Sequence, residues 1–149
     1  MFHVTRKFLR AGDIIEPGNW GSVIRSIGIS HPSWDREANL ERIRASEFSH
    51  KPDRFNCTYA FVTIQGALWW RAHERHGASI YAVEGVDPSA PSHVGDLLGV
   101  NRIATVDATE EAAARRYWSG SPPLMVTPDQ VAILEFLTSG GLCITGVLA

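Results

Sequence analysis

The spacing of apolar residues predicts two helices in the first half of the chain. Residues 34–48 carry an apolar stripe at helical spacing, and Ser33 before them is a typical N-cap residue. The stripe consists of Ala38, Leu40, Ile43 and Phe48. Because this helix is amphipathic, we expect it to cover a core. Residues 64–76 form the second predicted helix, with Thr63 as N-cap and Gly77 where a left-handed residue can end the helix.

A third helix is predicted at residues 108–118. Asp107 and Glu110 have the spacing of a capping box in which Asp replaces the usual Ser or Thr. Gly120 follows the helix and is suited to the left-handed conformation that ends it.

Strand-length apolar runs are separated by turn-rich stretches. Strands are predicted at 2–6, 55–62 and 79–86, with two or three more between 122 and 149 around Pro-Asp and Gly-Gly turns. The segments 16–22 and 85–96 are rich in turn residues and are predicted as loops. Since helices and strands do not alternate regularly, we expect an α+β fold with a split, mainly antiparallel sheet and flanking helices.

Composition favours one small domain. The 149 residues with 44% hydrophobic content suit a single domain, 1–149, built around one core. The 14 basic residues are dispersed among 16 acidic ones, so charge does not indicate a nucleic-acid partner, although a local basic groove stays open. Cys57 and Cys143 belong to no Cys-x-x-Cys pair and are predicted to be buried thiols.

Targeting and membrane signals are missing from the pattern. Arg6, Lys7 and Arg10 are not followed by an apolar block of signal-peptide length, and no stretch approaches roughly 18 uncharged apolar residues. We therefore expect a soluble, cytoplasmic protein without a membrane partner.

Metal and common nucleotide motifs are poorly supported. His73 and His76 lie about one helical turn apart, but no Cys, Asp or third His stands at metal spacing, so we expect a solvated helix face and no metal. The chain has no Gly-x-Ser-x-Gly motif, no phosphate loop and no dinucleotide fingerprint with its acidic partner. Hydrolase and Rossmann classes are therefore disfavoured.

Several short motifs follow one another in a recognisable order. They are Phe2-His3-x-Thr5, Gly-Asp and two apolar residues at 12–15, Tyr59 ten residues before Trp69, and Ile-Tyr-x-Val-Glu at 80–84. This order resembles the ADP-ribosyltransferase superfamily, and within it the rifampin ADP-ribosyltransferase type. The stretch 51–61 around Arg54 is also similar to the entry to the tyrosine strand of DNA-modifying ADP-ribosyltransferase toxins. The matches cover a little over half of the chain.

The resemblance implies a mono-ADP-ribosyltransferase that moves ADP-ribose from NAD, its substrate, to an acceptor. By analogy, His3 and Tyr59 bind the nicotinamide-ribose end, Thr5 and Asn56 support them, and Arg54 reaches phosphate or acceptor. Arg6 is the alternative phosphate ligand. The implied NAD-binding set is His3, Val4, Thr5, Trp20, Asn56, Tyr59 and Trp69. Val4 stands where the family usually has Gly, so we expect the backbone to approach nicotinamide less closely.

A catalytic carboxylate is the missing part of the pattern. The transition state resembles an oxocarbenium ion, which gains from a nearby carboxylate. Many members of the family begin a late strand with Glu, whereas the corresponding stretch here, 122–126, begins Pro-Pro. We favour Asp96 as the acid and Asp87 next. Further options are Asp129, Gln130 and Glu135.

Two functions are therefore carried forward. The first is ADP-ribosyl transfer to a nucleic acid, a protein or a small molecule. The alternative is a noncatalytic NAD-binding or partner-binding module on the same fold.

Overall fold

The computed structural model describes residues 1–101, 109–121 and 132–148. The strands are β1 (Phe2–Thr5), β2 (Ile14–Ile15), β3 (Thr58–Phe61), β4 (Ser79–Gly85), β5 (Ser92–Asp96), β6 (Leu134–Thr138) and β7 (Leu142–Val147). The α-helices are α1 (Asn19–Ile27), α2 (Trp34–Glu47), α3 (Ile64–Glu74), α4 (Leu97–Asn101) and α5 (Glu110–Ser119). Short 3-10 turns cover Gly28–Ser30 and Arg54–Asn56.

The strands form one antiparallel sheet in the order β2-β7-β4-β1-β3-β6-β5. Every neighbouring pair of described strands runs antiparallel. Helices pack on the sheet without a regular strand-helix alternation. The α+β class and the mainly antiparallel sheet are confirmed.

The sheet is nearly split between β1 and β3. These strands share one residue pair, Phe2 with Phe61, whereas β1 has four pairs with β4 and β3 has four pairs with β6. Beyond this β1–β3 junction, the remaining residues of β1 and the first residues of β3 lie side by side, but their backbones do not pair. The gap between them is the feature that positions the candidate site.

Two apolar clusters cover the two faces of the sheet. The larger lies under α2, α3 and α5 and contains Leu40, Ile80 and the fully buried Trp118, whose Nε1 donates to the Leu40 carbonyl oxygen at 2.8 Å. The smaller lies on the opposite face and contains Tyr81 and Val83. Successive residues of β4 thus point to opposite faces, as strand geometry requires.

Three helices were predicted near their observed positions. Ser33 stands at the N-cap position of α2, but its side chain makes no capping hydrogen bond. The Thr63 hydroxyl caps α3 by accepting from the Gly66 backbone N–H at 3.1 Å, and Gly77 and Gly120 have φ values of +75° and +67°. The cap of α5 was predicted wrongly. Thr109 is its N-cap, and its hydroxyl accepts from the Ala112 N–H at 3.1 Å. The predicted capping residue, at position 107, lies outside the described residues.

The predicted loop at 16–22 is wrong in its second half, because α1 begins at Asn19. Gly21 lies inside this helix, and a Cβ on it would meet the Phe55 carbonyl oxygen at 1.8 Å. The glycine therefore permits a close approach between a helix and a backbone turn. Its presence favoured a loop prediction because sequence alone does not distinguish that role from a turn.

The predicted loop at 85–96 is also wrong at its end, where β5 pairs with β6. A Cβ on Gly95 would lie 2.4 Å from the Tyr117 ring. Gly95 is thus a strand residue that leaves space for an aromatic side chain.

Both cysteines are free, Cys57 buried and Cys143 half-buried, so the prediction of a buried thiol holds for Cys57 alone. Among the described residues, no helix combines the length and the apolar character needed to cross a bilayer.

Candidate functional site

A cleft of about 850 Å³ opens where β1 and β3 separate. One wall is formed by the end of β1 and the residues after it, and a second by β2 and the first turns of α1. Residues 57–59 at the start of β3 form the third wall. The cleft thus occupies the gap left by the missing backbone pairing.

His3 spans this gap. Its Nδ1 donates a hydrogen bond to the Tyr59 carbonyl oxygen at 2.8 Å. Burial lowers the pKa of His3. The hydrogen bond to Tyr59 opposes this shift, whereas the charge of Lys7 lowers the pKa further. The imidazole is therefore neutral at neutral pH, with its hydrogen on Nδ1. Its Nε2 has no hydrogen-bond partner within the described part of the chain and can accept one from a ligand hydroxyl.

Tyr59 lines the cleft, its side chain packs against the larger apolar cluster, and its hydroxyl is anchored by a backbone oxygen. The hydroxyl donates to the Arg54 carbonyl oxygen, and the Arg54 guanidinium lies 5.1 Å from the ring centre. Burial raises the pKa of the Tyr59 phenol well above its ordinary value. Tyr59 is therefore suited to stacking and is a poor proton donor or acceptor at neutral pH.

Arg54 lies in the core beneath the cleft, which corrects the phosphate-contacting position predicted for it. It is 2% exposed, and its Nε donates to Glu37 Oε2 at 2.7 Å. Its Nη1 donates to Glu135 Oε1 at 2.5 Å and also contacts the Tyr117 hydroxyl. A buried guanidinium needs carboxylate partners. The cation that precedes the tyrosine strand in the sequence therefore belongs to an ion pair in the core.

Val4, Thr5 and Trp20 also line the cleft. Their role in binding NAD stays a prediction. Thr5 Oγ1 accepts from the Lys7 backbone N–H at 3.2 Å. The half-buried indole of Trp20 makes an edge contact with the His31 ring at 5.3 Å. These side chains surround the same space as His3 and Tyr59.

Asn56 and Trp69 do not line the cleft. Asn56 is exposed and donates to Asp53 Oδ2 at 2.6 Å. Trp69 packs against the larger apolar cluster and stacks on His73 at 4.2 Å. Their predicted placement was wrong because each finds a closer partner on its own turn or helix.

The favoured acid, Asp96, is also placed elsewhere. It is buried at the end of the edge strand β5, which is three strands from β1, and its Oδ1 accepts from the Ile133 N–H at 3.4 Å. Asp87 closes a turn by accepting from the Ser89 N–H at 2.9 Å. Glu135 faces Arg54 in the core. Residues 122–130, which hold the remaining options, lie outside the described residues.

Glu16 lines the cleft and was missed by sequence reasoning. It directly follows the Gly-Asp motif and its two apolar residues. That adjacency to a motif was the available signal. It was overlooked because Glu16 also opens a Pro-Gly segment that is typical of turns.

Among the described residues, three cations line the cleft: Arg6, Lys7 and Arg75. Arg6 was the predicted alternative to Arg54, and its Nη2 donates to the His76 carbonyl oxygen at 3.1 Å. Arg75 comes from the end of α3, and no local sequence pattern connects it to β1. These side chains give the cleft a basic rim in a chain whose net charge is -2.

The Gly-Asp motif builds the second wall. Gly12 has a φ of +92°, and its N–H donates to the Ile144 carbonyl oxygen at 2.8 Å. Asp13 Oδ2 accepts from the Arg10 N–H at 2.7 Å. These contacts turn the chain so that β2 pairs with β7 and carries Glu16 to the cleft.

The Tyr81 hydroxyl holds the segment after β1. It donates to the Lys7 carbonyl oxygen and accepts from the Leu9 N–H, each at 3.1 Å. Tyr81 therefore fixes the loop that carries part of the basic rim.

Cys57 and the histidines offer little further chemistry. Burial raises the pKa of the Cys57 thiol to about 12, so it is protonated and weakly nucleophilic at neutral pH. Across the described residues, no group of three or more His, Cys, Asp or Glu side chains is placed to hold a metal.

The chain was compared with known protein families. A family model described as a protein of unknown function, DUF2441, matches residues 4–133. Comparison with curated proteins gave no match. Because the family match covers most of the chain, including every cleft residue from Val4 onward, the protein belongs to the DUF2441 family. The match begins one residue after His3.

Proposed function

We propose that this protein is an NAD-dependent mono-ADP-ribosyltransferase that binds NAD in the cleft. The observation that carries the proposal is the joint placement of His3 and Tyr59 at the β1–β3 junction. Their residue types match those that bind the nicotinamide-ribose end in the family that the sequence resembles.

The nicotinamide-ribose end is assigned to His3 and Tyr59. The neutral imidazole of His3 would accept from a ribose hydroxyl through Nε2. The ring of Tyr59, fixed by its hydroxyl, would stack on the flat nicotinamide. Trp20 adds a second aromatic surface in the same cleft.

The pyrophosphate is assigned to the basic rim. Arg6, Lys7 and Arg75 line the cleft and can supply the charge-assisted hydrogen bonds that phosphates require. They replace Arg54 as the proposed phosphate ligands, because the Arg54 guanidinium is held by buried carboxylates. A volume of about 850 Å³ lies within the usual range for ligand sites.

The reaction would begin with cleavage of the nicotinamide-ribose bond. The leaving nicotinamide carries a positive charge in NAD, so orientation of the ribose and stabilisation of charge matter more than strong acid catalysis. ADP-ribose then passes to an acceptor that is a nucleic acid, a protein or a small molecule.

The test is incubation of the protein with NAD labelled in the adenylate part, with and without cell extract. Nicotinamide release together with a labelled product supports transfer, and release alone supports NAD hydrolysis. His3→Asn serves as the low-activity comparison, since it keeps a donor near Nδ1 and removes Nε2. Absence of both NAD binding and nicotinamide release at millimolar NAD would overturn the proposal.

A noncatalytic NAD-binding or partner-binding module is the second candidate. It is favoured by the absence of a carboxylate at the start of the 122–126 stretch. Under this alternative the protein binds NAD in calorimetry but releases no nicotinamide with any extract.

A further inference from the structure

We infer that Glu16 supplies the carboxylate that acts on the reacting ribose and the acceptor. This inference rests on the proposed function and names a catalytic residue for it. Among the carboxylates of the described residues, Glu16 alone lines the cleft that contains His3 and Tyr59.

The backbone around Glu16 is held on both sides. Before it, Ile14 and Ile15 of β2 pair with Cys143 and Leu142 of β7. After it, the Gly18 N–H donates to the Cys57 carbonyl oxygen at 3.1 Å, which ties this segment to the start of β3. Glu16 therefore sits on a fixed stretch between two strands of the site.

A side-chain contact adds to this support. Asn19 Nδ2 donates to the Glu16 carbonyl oxygen at 3.2 Å, and Asn19 also lines the cleft. The contact uses the backbone of Glu16 and leaves its carboxylate unengaged.

The Glu16 carboxylate is available for a ligand. In the described part of the chain it has no ion pair and no hydrogen bond. By contrast, arginine side chains pair with five other carboxylates: Glu37, Glu41, Glu47, Glu111 and Glu135. The carboxylate in the cleft is thus exposed and uncommitted, next to a basic rim.

The chemistry of the transfer gives this carboxylate two tasks. As the bond between ribose C1′ and the nicotinamide nitrogen breaks, its electron pair leaves with nicotinamide, and positive charge develops on the ribose. A nearby carboxylate stabilises that charge. As the acceptor forms its bond to C1′, its proton passes to the Glu16 carboxylate and then to solvent, so NAD and acceptor yield ADP-ribosylated acceptor, nicotinamide and a proton.

The experiment compares Glu16→Gln with Glu74→Gln. Glu74 is an exposed carboxylate at the end of α3, beside the rim cation Arg75, but does not line the cleft. Nicotinamide release is measured at saturating NAD, and the NAD dissociation constant is measured by calorimetry. For Glu16→Gln we expect kcat to fall about a hundredfold, with NAD affinity within about threefold of the parent. For Glu74→Gln we expect no change in kcat.

Chemical rescue separates catalysis from a structural effect. We expect formate to raise nicotinamide release by Glu16→Ala, because the small carboxylate can enter the space left by the side chain. Formate should leave the Glu74→Gln rate unchanged.

The outcomes distinguish this inference from the proposed function. A parent that binds no NAD and releases no nicotinamide overturns both. An active parent whose Glu16→Gln variant keeps kcat within about threefold overturns the role of Glu16 alone. An equal loss in the Glu74→Gln variant overturns it too, because the effect would then come from net charge at the rim.

Discussion

The imidazole Nδ1 of His3 donates to the backbone carbonyl oxygen of Tyr59 at 2.8 Å. Backbone pairing between their strands stops at Phe2 and Phe61. A side chain therefore links two strands whose backbones no longer pair. One nitrogen of His3 makes this structural link, and the other remains for a ligand.

Replacement of His3 should separate these two roles. We expect His3→Asn to keep the link to Tyr59, because the Asn amide nitrogen lies near the position of Nδ1, and to lose the acceptor at Nε2. NAD turnover should fall at least about tenfold, with a change in unfolding free energy below about 1 kcal/mol. His3→Ala should lose turnover and about 1 kcal/mol or more of stability. The checks are nicotinamide release and urea denaturation.

The exposed His50 provides the control position for the two His3 variants. His50→Asn should leave turnover unchanged. Full turnover in His3→Asn would contradict the role given to Nε2.

Tyr59 should act through its ring. Tyr59→Phe leaves the Arg54 carbonyl oxygen without its hydroxyl donor and should cost about 1–3 kcal/mol of stability. NAD affinity should stay within about threefold, because the stacking surface is kept. Tyr59→Leu should weaken NAD binding about fivefold or more, since aromatic stacking contributes about 0.5–1.5 kcal/mol beyond area burial. Equal NAD affinity in the two variants, measured by calorimetry, would exclude stacking.

Sequence reasoning succeeded where the signal was local. The Thr63 cap, the Gly120 stop and the apolar strands depend on neighbouring residues, so their patterns were sufficient. It failed where a residue's role depended on a distant partner. Gly21 lies inside a helix, and its lack of a side chain lets that helix approach the Phe55 backbone, a contact that composition cannot reveal.

The candidate site divides in the same way. His3 and Tyr59 were predicted from motif order, and both line one cleft. Their role in binding stays a prediction. Arg54 was misplaced, because its charge is neutralised by Glu37, 17 positions earlier, and by Glu135, 81 positions later. A one-dimensional pattern identifies a cation but not the carboxylates that it will meet after folding.

The buried ion network predicts a large stability effect. Arg54→Met leaves Glu37 and Glu135 buried without their shared cation, which should cost about 3–5 kcal/mol. The triple variant that combines Arg54→Met with Glu37→Leu and Glu135→Met should recover much of that lost stability, because no unpaired carboxylate remains at position 37 or 135. Urea denaturation of the three proteins measures this. A single variant as stable as the parent would mean that the network contributes no net stability.

Gly21→Ala should destabilise the protein, although helix propensity favours alanine over glycine. Ala is favoured over Gly within a helix by about 1 kcal/mol, but its Cβ would lie 1.8 Å from the Phe55 carbonyl oxygen. We expect a net loss of about 1–3 kcal/mol and weaker NAD binding, because α1 carries Trp20. Gly99→Ala is the helical control, since its Cβ would only touch Asp96 Oδ2 at 3.7 Å. If both substitutions are neutral or stabilising, the close approach of α1 is incorrect.

Stability should fall on mild acidification because of His93. Its Nε2 donates to the Tyr117 carbonyl oxygen at 2.7 Å, and its ring packs on Trp118 at 5.1 Å. Burial lowers its pKa from the ordinary 6.5 to about 4, partly opposed by the hydrogen bond to Tyr117. Between these values the unfolded chain binds a proton at His93 that the folded chain does not, so the free energy of unfolding decreases as pH falls.

Other titrating groups can be separated from this effect. Burial alone would raise the pKa of Glu37, but Arg54 and Arg36 lower it to about 2, so its loss of stability begins only below its ordinary 4.5. The lowered pKa of His3 acts in the same direction as that of His93. His93→Gln keeps a donor near Nε2 and removes the titration. Urea denaturation from pH 7 to pH 4.5 should therefore show a shallower decline for His93→Gln than for the parent; identical slopes would mean that His93 is protonated equally in the folded and unfolded chain.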